Sequence, residues 1–203
     1  MVEQQTFQFE DGGSTPTSPL QLQVIIVEIE KPEAKLLIEN YHYLGNKPFR
    51  SSVIFGLFVN HLLVGCAVFH GLSAPETAVG AFGLERKQQH NLMELGRLVL
   101  HPKYNGKNYG SQLVGFSLRK LKSYGVRAVI SYADSSRHSG AIYRACNFKY
   151  YGLSAKKKDF YVNGKIQERG KTKGINGEWR DRPQKHRYIF LLDKTLKVYW
   201  KEQ

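Results

Sequence analysis

The chain has 203 residues, 41% of them hydrophobic and 12% aromatic, which suits one well-buried domain and excludes a disordered chain. No apolar run approaches the roughly 20 residues that a membrane span requires, so no membrane partner is expected. The net charge of +13 and pI near 9.7 point instead to a polyanionic partner, most often nucleic acid.

Residues 1–20 open polar and acidic, unlike a secretory signal, and close on Gly-Gly-Ser-Thr-Pro-Thr-Ser-Pro. They read as a flexible arm before a single domain spanning 21–203. Gln21 to Glu30 holds a first strand around Val24–Val27. Pro32 starts a helix over 32–40, which ends in the polar and aromatic run Asn40-Tyr41-His42-Tyr43-Leu44-Gly45. Ser51–Val59 and His61–Phe69 form a hairpin hinged at Asn60-His61. Residues 71–92 read as a loop with room for a short helix. Cys66 and Cys146 lie in apolar company and are expected as buried free thiols, in keeping with a reducing cytoplasm.

The run 94–122 organises the rest. Leu95–Leu100 reads as a strand closed by His101-Pro102, followed by the loop Tyr104-Asn105-Gly106-Lys107-Asn108-Tyr109-Gly110. A helix through Leu113, Phe116, Leu118 and Leu121 then runs to Gly125. The start of such a helix offers unpaired N–H groups and partial positive charge, which suits a phosphate; an ordinary tight turn is the alternative. Arg127–Tyr132 is a further strand, 139–146 a short helix, and Asn147–Tyr151 and His186–Leu192 are strands. The segment 156–187 carries eleven Lys and Arg against four acids, with turns expected at Asn163-Gly164 and Asn176-Gly177. The elements imply an α/β fold: a mixed central sheet, helices on both faces, and a basic C-terminal insertion at 156–187. Ligands in such sheets bind at strand carboxyl ends, where neighbouring strands separate.

This order resembles the GCN5-related N-acetyltransferase (GNAT) fold, whose strand–loop–helix binds acyl-coenzyme A. The resemblance implies acetyl-CoA or a related acyl-CoA as cofactor. It assigns coenzyme contacts to Leu98, Val99, Leu100, Asn105, Gly106, Lys107, Asn108, Tyr109, Gly110 and Ser111. Asn105 and Asn108 depart from that family's Arg/Gln-x-x-Gly-x-Gly/Ala loop, where asparagine at 108 tolerates the positive φ that keeps the turn, and Asn147 replaces a glycine. Ser111 either caps the helix or touches a phosphate. Within that superfamily, Tyr41-His42-Tyr43, Glu94-Leu95-Gly96-Arg97-Leu98, the run Tyr132–Tyr143 and Lys185-His186-Arg187-Tyr188 resemble the Mom-type bacteriophage DNA modification proteins. Membership implies a carbamoylmethyl-type group placed on adenine N6 of double-stranded DNA, protecting phage DNA from restriction in the host cytoplasm.

Five residues are candidates for the chemistry. Asp134, beyond a strand end, either accepts a proton from an amine or closes a turn. Tyr143 either protonates a thiolate leaving group or is a core tyrosine. Arg97, inside an apolar strand, requires an anionic partner, Asp134 or a ligand; alternation puts Glu94 on the opposite face. His42 and Tyr43 either line a substrate cleft or pack at the surface. No Cys/His spacing marks a metal site, although His42, His70, His90, His101 and His138 leave metal involvement open. Lys156, Lys157, Lys158, Lys171, Lys173, Arg180, Arg182, Lys185 and Arg187 are the expected DNA contacts, with aromatic residues of the insertion or Tyr41 and Tyr43 holding a base. Two other readings stand beside this one: an ordinary N-acetyltransferase of a protein or small-molecule amine, and a non-catalytic DNA-binding protein.

Overall fold

A computed structural model describes residues 22–167, 170 and 172–203. The arm expected at 1–20 lies outside the described residues, as does Lys171. The chain begins with strand β1 (Val24–Glu28) and helix α1 (Lys31–Tyr41). Helix α1 starts on a capping box in which Glu30 and Glu33 satisfy each other's backbone N–H, with Pro32 in the first turn. Strands β2 (Val53–Val59) and β3 (Leu62–Gly71) follow as the expected hairpin. Asn60 and His61 both take positive φ, 48° and 65°, the pair of left-handed residues that a two-residue hairpin turn needs.

Residues 71–92 are more ordered than a loop. They hold helix α2 (Glu76–Phe82) and a 3₁₀ segment, Arg86–Asn91, before strand β4 (Leu92–Leu100). Helix α3 (Tyr109–Ser123), strand β5 (Ala128–Asp134), the short helix α4 (Ala141–Ala145) and strand β6 (Lys149–Leu153) complete the first part. The basic segment then builds a separate three-stranded sheet, ordered β8-β7-β9, from β7 (Lys157–Val162), β8 (Lys165–Ile166) and β9 (Glu178–Arg182). Strand β10 (Lys185–Leu191) returns to the main sheet, so Lys185 and Arg187 belong to its framework and the insertion closes before them.

The main sheet has seven strands in the order β1-β2-β3-β4-β5-β10-β6. All its ladders are antiparallel except β4 with β5. One face buries Phe55, Phe69, Leu95 and Val129 under α3, with Tyr143 of α4 in the same cluster. The other packs Ile54, Val68 and Val99 under α1, and Leu92, Ala128, Ile130 and Ile189 under α2. Helices thus cover both faces, and the apolar area removed from water there is the main stabilising term. Cys66 and Cys146 are buried free thiols, and burial pushes Cys66 up to about 12. Among the described residues no helix is long and apolar enough to cross a membrane.

The Asn163-Gly164 turn forms, with φ of 49° and 74°. The Asn176-Gly177 turn does not: the turn lies at Lys173-Gly174, and 175–177 form no turn before β9. Gly177 is small for another reason. A Cβ there would collide with the Tyr161 carbonyl and would stand 2.6 Å from the Phe160 ring.

Candidate active site

The site begins with one glycine. β3 and β4 pair in register from Gly65↔Leu100 to Val68↔Arg97, then shift so that Phe69 faces Leu95, leaving Gly96 as a bulge. A Cβ at Gly96 would run into Nε2 of the buried His70. The bulge resets side-chain parity. Arg97 lies opposite Val68 and Glu94 opposite His70, two positions apart on β3, so Arg97 and Glu94 share a face. Simple alternation therefore misplaced them. They still do not pair: Glu94 accepts from the Ser73 backbone N–H at 3.0 Å and its hydroxyl at 2.7 Å. On the other side of β4, the parallel ladder with β5 ends at Leu95↔Ser131. Beyond that point the two strands are joined by no further rung, and a fork opens at their carboxyl ends.

Two cavities fill the fork and share Leu98, Ala141 and Ile142. The first, about 530 Å³, is lined by Leu100, Asn105, Gly106, Asn108 and Ser111. Asn108 caps α3 with φ 57°, so asparagine supplies the left-handed turn, and its side chain makes no cap bond. The first helical bond at this end runs from Gln112 N–H to the Asn108 carbonyl at 2.9 Å, which leaves the preceding N–H groups directed out of the helix start. Gly110 lets the helix approach its neighbours, because a Cβ would stand 3.1 Å from Ile142 and 3.3 Å from Leu100. Asn147, the other asparagine at a glycine place, also takes positive φ, 62°.

The coenzyme contacts expected from the sequence divide here. Leu98 and Leu100 line the cavity, whereas the Val99 side chain packs in the cluster under α1, on the other face. Lys107 is exposed and outside the lining, and Tyr109 lines it while burying its ring in the core. Ser111 is not the cap; its hydroxyl bonds toward the Cys146 thiol.

The second cavity, about 440 Å³, is lined by Tyr41, His42, Tyr43, Tyr132, His138 and Tyr143 among others. Tyr143 is buried in the core and also reaches the second cavity. Its ring packs at a tilt against those of Tyr188 and Phe148, at centroid distances of 5.2 and 5.7 Å, and the residue forms part of the cavity wall. Burial raises its pKa above the usual phenol value, with the Ser131 hydroxyl pulling the other way, so the proton stays on at neutral pH. Burial first, then the charges of Arg97 and His138, lower His42 to about 4. Its Nδ1 accepts the Leu44 N–H at 3.1 Å, which places the single ring proton on Nε2. Neutral His42 is thus a hydrogen-bond donor toward the cavity. Tyr43 stacks on His42 at 4.5 Å and carries the Arg137 guanidinium 5.0 Å above its ring. Burial and the Asp134 charge raise its hydroxyl pKa.

Asp134 and Arg97 do not pair with each other. Asp134 Oδ1 accepts the Ser136 N–H at 3.0 Å and the Ser136 hydroxyl at 2.6 Å, closing a turn, and Oδ2 lies 3.9 Å from Arg137. Burial acts to raise its pKa, but the Ser136 bonds and the charges of Arg137 and Lys185 outweigh it and hold the carboxyl below its usual value. Arg97 Nη1 donates to the Gly96 carbonyl at 2.8 Å, while its Nε is buried without a partner. Such an orphaned donor is costly unless a ligand accepts from it. The 135–140 loop is tied down by Ser139, whose carbonyl accepts from Tyr188 at 2.5 Å and from Arg144 at 2.8 Å. The sequence reading missed Tyr132 and Tyr188 as site residues. Inward alternation along β5 and β10 marks both positions.

Among the described residues no group of three or more His, Cys, Asp or Glu is placed to hold a metal ion. The basic set is less uniform than its composition. Arg180 pairs with Glu178, Arg182 with Asp159, and Lys158 lies 3.9 Å from Asp181. Arg187 donates to the Tyr151 carbonyl at 2.6 Å and lies over the Trp200 ring at 4.3 Å. Lys156, Lys157, Lys173 and Lys185 have no ion pair among the described residues, although Lys185 stands across the ladder from Asp134.

The chain is similar to solved acetyltransferases. The ribosomal-protein-S18-alanine N-acetyltransferase of Escherichia coli is 14% identical, with 84% of this chain and 95% of that one covered and a TM-score of 0.53. An IAA acetyltransferase from Bacillus cereus (15%, 83% and 99%, TM-score 0.53) and an N-acetyltransferase from Staphylococcus aureus (15%, 84% and 99%, TM-score 0.53) align as well. At such identities the likeness shows the fold, which is the GNAT fold. No curated protein matches the chain. The model of the Mom protein family matches residues 23–203, nearly the whole of the described structure, and the chain belongs to that family.

Proposed function

We propose that this chain is an acyl-CoA-dependent transferase acting on the exocyclic amine of adenine in double-stranded DNA, in the cytoplasm of a phage-infected bacterium. The transfer itself forms an amide at N6 and releases the coenzyme thiolate. A carbamoylmethyl-type product, in which N6 carries a methylene, requires a conversion beyond that transfer, and either group would shield phage DNA from restriction. One observation carries the reading: the β4–β5 fork opens to an uncapped helix start on one face, while unpaired lysines gather on the other. The anion cradle suits a pyrophosphate, and the residues around it fit one. Asn105, Gly106, Asn108, Gly110 and Ser111 would hold it. Bound there, the coenzyme supplies an activated acyl group.

The chain's own groups do the rest. Tyr143, protonated at neutral pH, is the proton donor to the leaving thiolate. The Arg97 Nε and the His42 Nε2–H donate to oxygen atoms of the acyl group. Asp134, ionised at the cleft mouth, faces Tyr43 and fixes the field in which the amine reacts. Family membership supports DNA as acceptor, and the lysines of the insertion supply the phosphate contacts that a small-molecule acetyltransferase has no use for.

The test is direct. DNA from cells expressing the chain is challenged with adenine-sensitive restriction enzymes and then digested to nucleosides for mass spectrometry. A deoxyadenosine of altered mass, absent when Asp134→Asn is expressed, is the expected result. Unmodified deoxyadenosine throughout removes the proposal, and acetylation of a protein amine in its place would establish the ordinary N-acetyltransferase.

A further inference from the structure

A third cavity lies on the face away from α3, and nothing in the fork explains it. Its volume is about 320 Å³, and Tyr132 lines both it and the tyrosine-lined cavity of the fork. Tyr132 is therefore the partition between the two. The floor of the third cavity is Glu94, 7% exposed, whose carboxylate is oriented by Ser73. One wall is the Trp200 ring, fixed by the Arg187 guanidinium stacked on it at 4.3 Å. The rim carries Lys157 and Lys185. A flat ring, a buried acceptor and a cationic rim within one small cavity form an unusual set. The buried carboxylate accepts hydrogen bonds from an amine, the indole stacks on a π-face, and the rim neutralises phosphates.

We infer that this cavity receives a nucleobase extruded from the duplex, stacked on Trp200 with its exocyclic amine donating to Glu94, while Lys157 and Lys185 hold the flanking phosphates. The inference rests on the proposal that DNA is the acceptor, and it places the base. The aromatic residues of the insertion and Tyr41 and Tyr43, which the sequence suggested for this task, lie elsewhere: Tyr41 and Tyr43 line the cavity continuous with the α3 cradle. An amine held against Glu94 lies beside Tyr132, the one residue that also lines the tyrosine-rich cavity of the fork. The carboxylate also sets a preference, since adenine and cytosine present an exocyclic amine and thymine presents only a carbonyl at the equivalent edge.

The experiment measures binding of the full chain to duplexes that differ at one position, where the test base stands either paired or opposite an abasic site. An unpaired base has already lost its partner, so an extruding protein binds it more tightly. The expected result is at least about tenfold tighter binding of the unpaired-adenine duplex than of the matched one. Unpaired thymine should give no such gain. Trp200→Ala and Glu94→Gln should each bring the ratio toward one, with melting temperatures close to that of the unaltered chain showing that they fold. Lys157→Gln with Lys185→Gln should weaken both duplexes alike. A ratio of one in the unaltered chain, or a full ratio in Trp200→Ala, overturns the pocket even if DNA is modified. An intact ratio that depends on Trp200, in a chain whose DNA carries no altered nucleoside, supports the pocket and removes only the catalytic proposal.

Discussion

The seven-stranded sheet and the three-stranded sheet beside it use charge in opposite ways. The large sheet buries almost none, and what lies partly buried on it or beside it is left open for work: Arg97 of β4 has an unpartnered Nε, and His42, just past α1, is held neutral. The small sheet is dense in charge but spends much of it internally, on Arg180–Glu178, Arg182–Asp159 and Lys158–Asp181. A cation count from composition therefore overstates the phosphate-binding surface, whereas a single arginine in an apolar strand is worth more than its number suggests. The exposed pairs among these, Arg180–Glu178 and Lys158–Asp181, contribute little to stability, at most about 1 kcal/mol each. Their main effect is to decide which cations remain available.

The comparison breaks hardest at Tyr143. Tyr143→Phe keeps the packing against Tyr188 and Phe148 and removes one O–H. If that proton reaches the leaving group, the rate of nucleoside formation should fall by about 10²–10⁴-fold with the melting temperature little changed. An unchanged rate would reduce Tyr143 to a core residue.

Arg97→Met tests the open charge on the large sheet from the other direction. Removing a half-buried guanidinium with an orphaned Nε gives up one hydrogen bond, to the Gly96 carbonyl, while relieving the buried Nε, so stability should change by no more than about 1 kcal/mol. Activity should fall by about 10²-fold or more, the size seen when an electrostatic donor is lost. A drop in melting temperature with activity retained would make Arg97 structural.

His42 gives a pH signature. Its folded pKa of about 4 lies below the ordinary 6.5, so between those values the unfolded chain binds more protons than the folded one. Stability contributed by this residue is complete above about 6.5 and is lost as pH falls toward 4. The residue is partly exposed, so solvent screening limits the effect to about 1 kcal/mol, or about 2–4 °C in melting temperature. His42→Asn, which keeps an acceptor for the Leu44 N–H, should flatten the melting curve against pH by that amount. Equal slopes in both proteins would mean that the ring is solvated.

Much of this was legible in the residues and some was not, for reasons that can be named. Strands of alternating or continuous apolar residues, the Asn60-His61 turn and the α3 loop all announce themselves, because local chemistry fixes them. Asn108 and Asn147 were legible too: each replaces a glycine with the residue that best tolerates positive φ. The Gly96 bulge was not. It depends on His70 from another strand occupying the space of a Cβ, and it flips the face of everything before it, so alternation misassigned Arg97 relative to Glu94. Asn176-Gly177 looked like a turn, but its glycine is there to clear the Tyr161 carbonyl. Trp200 lies far in sequence from Glu94 and Tyr132, and only the folded chain brings the three to one cavity.

The smallest effect separates spent from available cations on the small sheet. Lys157 and Arg180 are both on exposed strands of that sheet, facing each other's ladder, and composition treats them alike. Each phosphate neutralised releases counterions and steepens the dependence of log affinity on log salt by about 0.9. Lys157→Gln should therefore reduce that slope by about 0.9, whereas Arg180→Gln should leave it nearly unchanged, because Glu178 already holds that guanidinium. Salt titrations of binding to one duplex, run on both variants, read the difference without any need for turnover. Equal slope losses would show that Arg180 releases Glu178 when DNA arrives, and that the ion pairs of the small sheet are a reserve of phosphate contacts and not a permanent charge sink.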